Sequence, residues 1–146
     1  MKNKDLLIKI FAYVGTVLIW IPILLPIFLG LVSLVREGLF RFDFLLPAEL
    51  FAVILSGAVL LIWAVFLAKT NRVAVLVSFG IAIASLVGSQ VVAVLTGLAS
   101  GESEPTGSPW IIVTALIGIF NLSVIGLGIV GTFLIRKLNI KPMNRK

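Results

Sequence analysis

The chain has 146 residues, 60% of them hydrophobic and 12% charged, with a mean hydropathy of +1.22. Water-soluble domains carry about a quarter charged residues, so twelve basic and six acidic side chains cannot clothe a soluble surface, and one domain solvated mostly by hydrocarbon is implied. With no Cys and no His, disulfides, thiolate chemistry, the commonest metal ligand and the commonest general base are all excluded.

Four stretches carry no charge at all: Ile10–Val35, Leu50–Ala68, Val73–Gly101 and Pro105–Ile135. A hydrocarbon core of roughly 30 Å takes about 20 helical residues, and a segment in lipid must satisfy its own backbone hydrogen bonds. The fold class expected is therefore an all-α membrane protein, a bundle of four transmembrane helices forming a single integral domain over residues 1–146.

The first helix is expected over about 7–35. Its apolar run is longer than a signal peptide's and lacks an Ala-x-Ala site, so it reads as an uncleaved span. Pro22 and Pro26 each lack an N–H, leaving the carbonyls of Leu18 and Pro22 without partners and predicting a kink.

The loop 36–46 follows, with aromatic and charged residues alternating through Phe40, Arg41, Phe42, Asp43 and Phe44. Pro47 then opens a second helix over 47–68, with Glu49 in its first turn, where the helix dipole favours an acid. Arg36, Glu37, Arg41, Asp43 and Glu49, with Glu102 and Glu104 of the loop 99–109, form a candidate charge cluster on one face. It reads either as a binding or ion-pair site or as an ordinary wet rim, whose exposed pairs contribute only about 0–1 kcal/mol each.

The turn Lys69-Thr70-Asn71-Arg72 is short enough to make the second and third helices an antiparallel hairpin. The third helix, expected over 73–98, lines up Ser78, Ala82, Ser85, Ser89, Ala93 and Thr96 on one face. The fourth, over 110–135, does the same with Thr114, Gly118, Asn121, Gly128 and Thr132. Small residues at such spacing let membrane helices approach closely, so Ser85, Ser89, Ala93, Gly118 and Gly128 are candidate packing residues. Gln90 and Asn121 are the only amide side chains inside the spans. An unpaired amide in hydrocarbon is costly, so a hydrogen bond between them is expected. The Asn121-Leu122-Ser123 sequon lies inside a span, where glycosylation cannot reach it.

The tail 136–146 is basic and follows a helix end, which suits anionic lipid headgroups at the cytoplasmic face rather than nucleic acid. Lys2, Lys4, Lys9, Lys69, Arg72, Arg136, Lys137, Lys141, Arg145 and Lys146 fall on one side of the membrane, and only Arg36 and Arg41 on the other. Positive residues stay inside, so both termini are expected in the cytoplasm of a multi-pass cell-membrane protein.

No phosphate loop, metal-ligand spacing or catalytic triad occurs, and no ionisable residue sits at the middle of a span. The two helix pairs run in the same direction, which is not the inverted repeat of many carriers. No cofactor or metal is expected. The reading that remains is a non-enzymatic accessory or structural membrane component, acting through helix packing and its outer loops on a protein partner or another copy of itself. The alternative is a small homo-oligomeric channel or transporter.

Overall fold

The computed structural model describes residues 2–37, 50–104 and 106–140. Four helices account for most of them: α1 (Lys2–Glu37), α2 (Phe51–Ala68), α3 (Arg72–Leu95) and α4 (Gly107–Ile140). All four are long and apolar enough to cross a membrane. Their outward faces are as apolar as their inward ones, with Phe28, Trp63, Val73, Leu122 and Phe133 all more than half exposed. Helices apolar all round need hydrocarbon or protein on every side, and this surface is compatible with a multi-pass membrane protein.

The helices differ from their expected bounds at the ends. At 36 and 34 residues, α1 and α4 rise about 54 and 51 Å, so both outrun a bilayer core or tilt within it. Helix α4 starts at Gly107, because Pro109 is tolerated inside a first turn, where N–H groups lack partners anyway. It continues past the last apolar residue of the expected span through Arg136 and Lys137, since a cation in the last turn suits the helix dipole. Helix α3 stops earlier than expected, at Leu95. Thr96 caps it by donating its hydroxyl to the Val92 carbonyl, and Gly97 then turns the chain with φ +72°. Helix α1 runs unbroken through Pro22 and Pro26. The first residues of the expected second helix, including Pro47 and Glu49, lie outside the described residues.

Each helix buries one stripe. On α1 it is Ile8, Ala12, Gly15, Thr16, Ile19, Pro22, Pro26 and Gly30, at the three- and four-residue spacing of a helical face. It packs on α2 at one edge and on α4 at the other, and α4 packs in turn on α3. The expected α2–α3 hairpin is present at its turn, but these two helices touch only slightly. A short turn holds their ends together while each follows a different partner, so they diverge away from it.

The end of the molecule that carries the chain-terminal ends of α1 and α4 and the 69–71 turn is held by polar bonds. The Lys69 backbone N–H bonds the Val65 carbonyl from a left-handed cap (φ 53°), and the Thr70 N–H reaches the same carbonyl at 3.3 Å. Arg72 donates from Nη2 to the Phe66 carbonyl at 3.0 Å and lies 5.2 Å from the Phe66 ring centroid, supplying a cation where α2 leaves carbonyls unpaired. Lys137 Nζ donates to Thr70 Oγ1 at 2.8 Å, and Asn139 Nδ2 to the Tyr13 hydroxyl at 2.7 Å. These bonds tie α4 to the turn and to α1.

Candidate functional site

One level along the helices is closed by backbone. An added Cβ on Gly15 would lie 2.9 Å from the Gly57 carbonyl oxygen, and one on Gly57 would lie 2.9 Å from the Gly15 carbonyl oxygen. A Cβ on Gly131 of α4 would lie 2.5 Å from Thr16 Oγ1 and 3.2 Å from Leu61 of α2. Three helices therefore meet here without room for a side chain. Thr16 returns its hydroxyl to the Ala12 carbonyl at 2.7 Å, so its polar atom is satisfied inside its own helix. One turn further along α1, the Trp20 indole lies flat enough on α4 that a Cβ on Gly128 would sit 3.1 Å from it, and Trp20 Nε1 donates to Thr132 Oγ1 at 3.3 Å.

Toward the opposite end, where α2 and α3 diverge, a cavity of about 360 Å³ opens among all four helices. Pro22, Pro26 and Ile27 form its wall on α1, and Phe51 and Ile54 on α2. Phe120 and Val124 close it on α4, while Leu86, Ser89, Gln90 and Asn121 supply the remaining wall. Among the described residues that line it, none is ionisable, and only Ser89, Gln90 and Asn121 carry polar side-chain atoms. The volume falls within the usual range of small-molecule and cofactor pockets, about 300–1,000 Å³.

The polar atoms of the wall are unequal. Ser89, buried, donates to the Leu86 carbonyl at 2.7 Å. Asn121 donates from Nδ2 to the Ile117 carbonyl at 3.0 Å, one turn back on its own helix. Gln90 is exposed and has no hydrogen bond within the chain among the described residues.

The expected Gln90–Asn121 hydrogen bond is not formed. A Cβ on Gly88 of α3 would face Leu116, and Ser78 faces Gly126. That register sets Gln90 level with Thr114 and Asn121 level with Ile83, seven residues or roughly 10 Å apart along the axis. Both amides line the same cavity, at different depths.

The candidate packing residues separate. Ser85 and Ser89 are buried on the face of α3 that meets α4, with Ser85 donating to the Ile81 carbonyl at 2.7 Å. Gly128 is covered by Trp20, and Ala93 is half-buried. Gly118 is exposed, with nothing within 4 Å of an added Cβ. It is on the far side of α4, because small size alone does not say which way a residue faces.

Of the candidate charge cluster, Arg36, Glu102 and Glu104 have described side chains, and all three are exposed. Glu37 ends α1, while Arg41, Asp43 and Glu49 lie outside the described residues. The loop carrying Glu102 and Glu104 folds on Gly97, whose carbonyl accepts from the N–H groups of Glu102 at 3.0 Å and Ser103 at 3.3 Å. Ser103 Oγ donates to the Thr96 carbonyl at 2.7 Å. These bonds shape the loop without using either carboxylate.

Sequence reasoning missed the cavity and the Gly15–Gly57 contact. Two signals pointed toward them: glycines inside apolar helices, and two prolines four residues apart on one helix face.

No known protein family, no curated protein and no solved structure matches this chain.

Proposed function

We propose that the chain is a multi-pass protein of the cell membrane, with both termini in the cytoplasm, which acts without catalysing a reaction. Its role in this reading is that of an accessory component, engaging a partner protein or lipid through its helix faces and outer loops. The observation that carries the proposal is the closure at Gly15, Gly57 and Gly131. A polar path between α1, α2 and α4 has no room at that level, whereas the surrounding apolar faces are free to pack. Basic side chains at the terminal end, among them Lys4, Lys9, Lys69, Arg136 and Lys137, suit anionic headgroups of the inner leaflet.

The homo-oligomeric channel or transporter draws less support. Its pore would use the small polar face of α3, yet Ser85 and Ser89 turn toward α4 and spend their hydroxyls on their own helix. The deciding experiment is purification in mild detergent, measurement of oligomeric mass, and assay of ion and small-solute flux from liposomes. A monomer, or a complex with a co-purified partner, that passes no solute is the expected result. A symmetric oligomer that conducts overturns it.

A further inference from the structure

The cavity lies among all four helices, at the end where α2 and α3 touch little, and the outer faces around it are themselves apolar. Phe28 on α1, Leu55 on α2, and Val87 and Val91 on α3 flank this half of the molecule, with exposures of 64%, 37%, 54% and 49%. On the membrane reading proposed above, on which this inference rests, the medium at its mouth is hydrocarbon. The wall is uncharged among the described residues, so a charged ligand would lose its hydration and gain no counter-charge. The cavity is also elongated: Gln90 lies about 8 Å below the end of α3, and the level of Asn121 is roughly 10 Å deeper. With the end of α3 at the headgroup level on that same reading, Gln90 sits near the depth at which ester groups meet acyl chains, with two N–H donors that no described residue engages.

We propose that this cavity holds an acyl chain of a bilayer lipid, entering between α2 and α3, with an ester carbonyl of that lipid accepting a hydrogen bond from the Gln90 amide. The chain's methylenes lie along Pro22, Pro26 and Ile54, replacing packing that the diverging helices do not supply. Asn121 has one Nδ2 hydrogen bonded to the Ile117 carbonyl, so part of its amide is satisfied within its own helix. The ligand class is thus a lipid with a neutral, ester-bearing neck, and headgroup charge plays no part inside the cavity.

The test uses the full chain in nanodiscs of phosphatidylcholine doped with a phosphatidylcholine that carries a photoactivatable acyl chain. After illumination, adducts on Ile54, Leu86 and Gln90 are expected to exceed those on the outward-facing Leu122 and Phe133 several-fold. Ile54→Trp, which fills the cavity, is expected to cut labelling of Leu86 and Gln90 several-fold and leave Leu122 and Phe133 unchanged. Should that variant not fold, Gln90→Cys supplies an independent reading in this cysteine-free chain. A lipid-filled cavity makes it react many times more slowly with a small aqueous thiol reagent than Ser103→Cys does. Labelling at Leu122 and Phe133 without enrichment in the cavity overturns the acyl-chain proposal alone. So does a Gln90→Cys thiol as reactive as Ser103→Cys, which shows a wet cavity. Absence of labelling at every site overturns the membrane reading itself.

Discussion

Gly15 and Gly57 face each other so closely that a methyl group on either would press on the carbonyl oxygen of the other. Membrane helices have no hydrophobic drive to associate, so contact of this kind replaces it with dispersion between backbones. The first prediction follows from that distance. Gly57→Val should destabilise the fold by about 1–3 kcal/mol, the usual cost of overpacking, because backbone cannot move aside as a flexible side-chain tip can. Gly118→Ala, at a glycine with open space around it, should be neutral or mildly stabilising. Thermal unfolding in one detergent compares the two, and equal losses would show that α1 and α2 do not meet there.

Trp20 makes the second prediction. Its indole covers Gly128 and donates to Thr132, which itself donates to the Gly128 carbonyl at 2.9 Å. Trp20→Phe keeps most of the packing and removes the hydrogen bond, which in membrane proteins averages about 0.6 kcal/mol. Trp20→Ala also leaves a void, and changes of that kind cost about 3–5 kcal/mol in well-packed cores. The two losses should therefore differ by more than twofold. Near-equal losses would mean that the hydrogen bond, not the ring's packing, holds α1 to α4.

Gln90 and Asn121 give the third. Because register sets them at different depths, a double-mutant cycle of Gln90→Leu and Asn121→Leu in detergent should be additive to within about 0.3–0.5 kcal/mol. A larger coupling would show that the two amides communicate, either by direct contact against this α3–α4 register or through the cavity they share.

That pair also shows what could be read from the sequence. The four helices were legible because long uncharged runs leave the backbone no other way to satisfy itself in hydrocarbon. The register of α3 on α4 was not legible. The loop after Gly97 folds back through bonds to the Gly97 carbonyl, and loop length alone does not reveal where α4 then starts. The small residues of α3 stood out by spacing. Gly118 shared that spacing and faces outward, because its helix has two sides lined with small residues and only contact distinguishes them. The cavity was hidden for a different reason. It exists because α2 follows α1 while α3 follows α4, a divergence that no single helix encodes.

The last prediction concerns direction in the membrane. The helices carry Lys4, Lys9, Lys69, Arg72, Arg136 and Lys137 at one end, while Arg36 is the one basic side chain at the other among the described residues. Segments rich in Lys and Arg resist translocation, so the first end should remain in the cytoplasm. Lys4→Cys and Ser103→Cys mark the two ends, since both native side chains are exposed and the chain has no cysteine of its own. In intact cells a membrane-impermeant maleimide should modify Ser103→Cys and spare Lys4→Cys, and permeabilisation should make both reactive. The reverse pattern would invert the orientation and move Glu102 and Glu104 to the cytoplasm. Reaction of both in sealed cells would mean that the chain inserts in two directions. In that case antiparallel copies would be available to one another, and the outer-loop role proposed for the accessory component would have no single face on which to act.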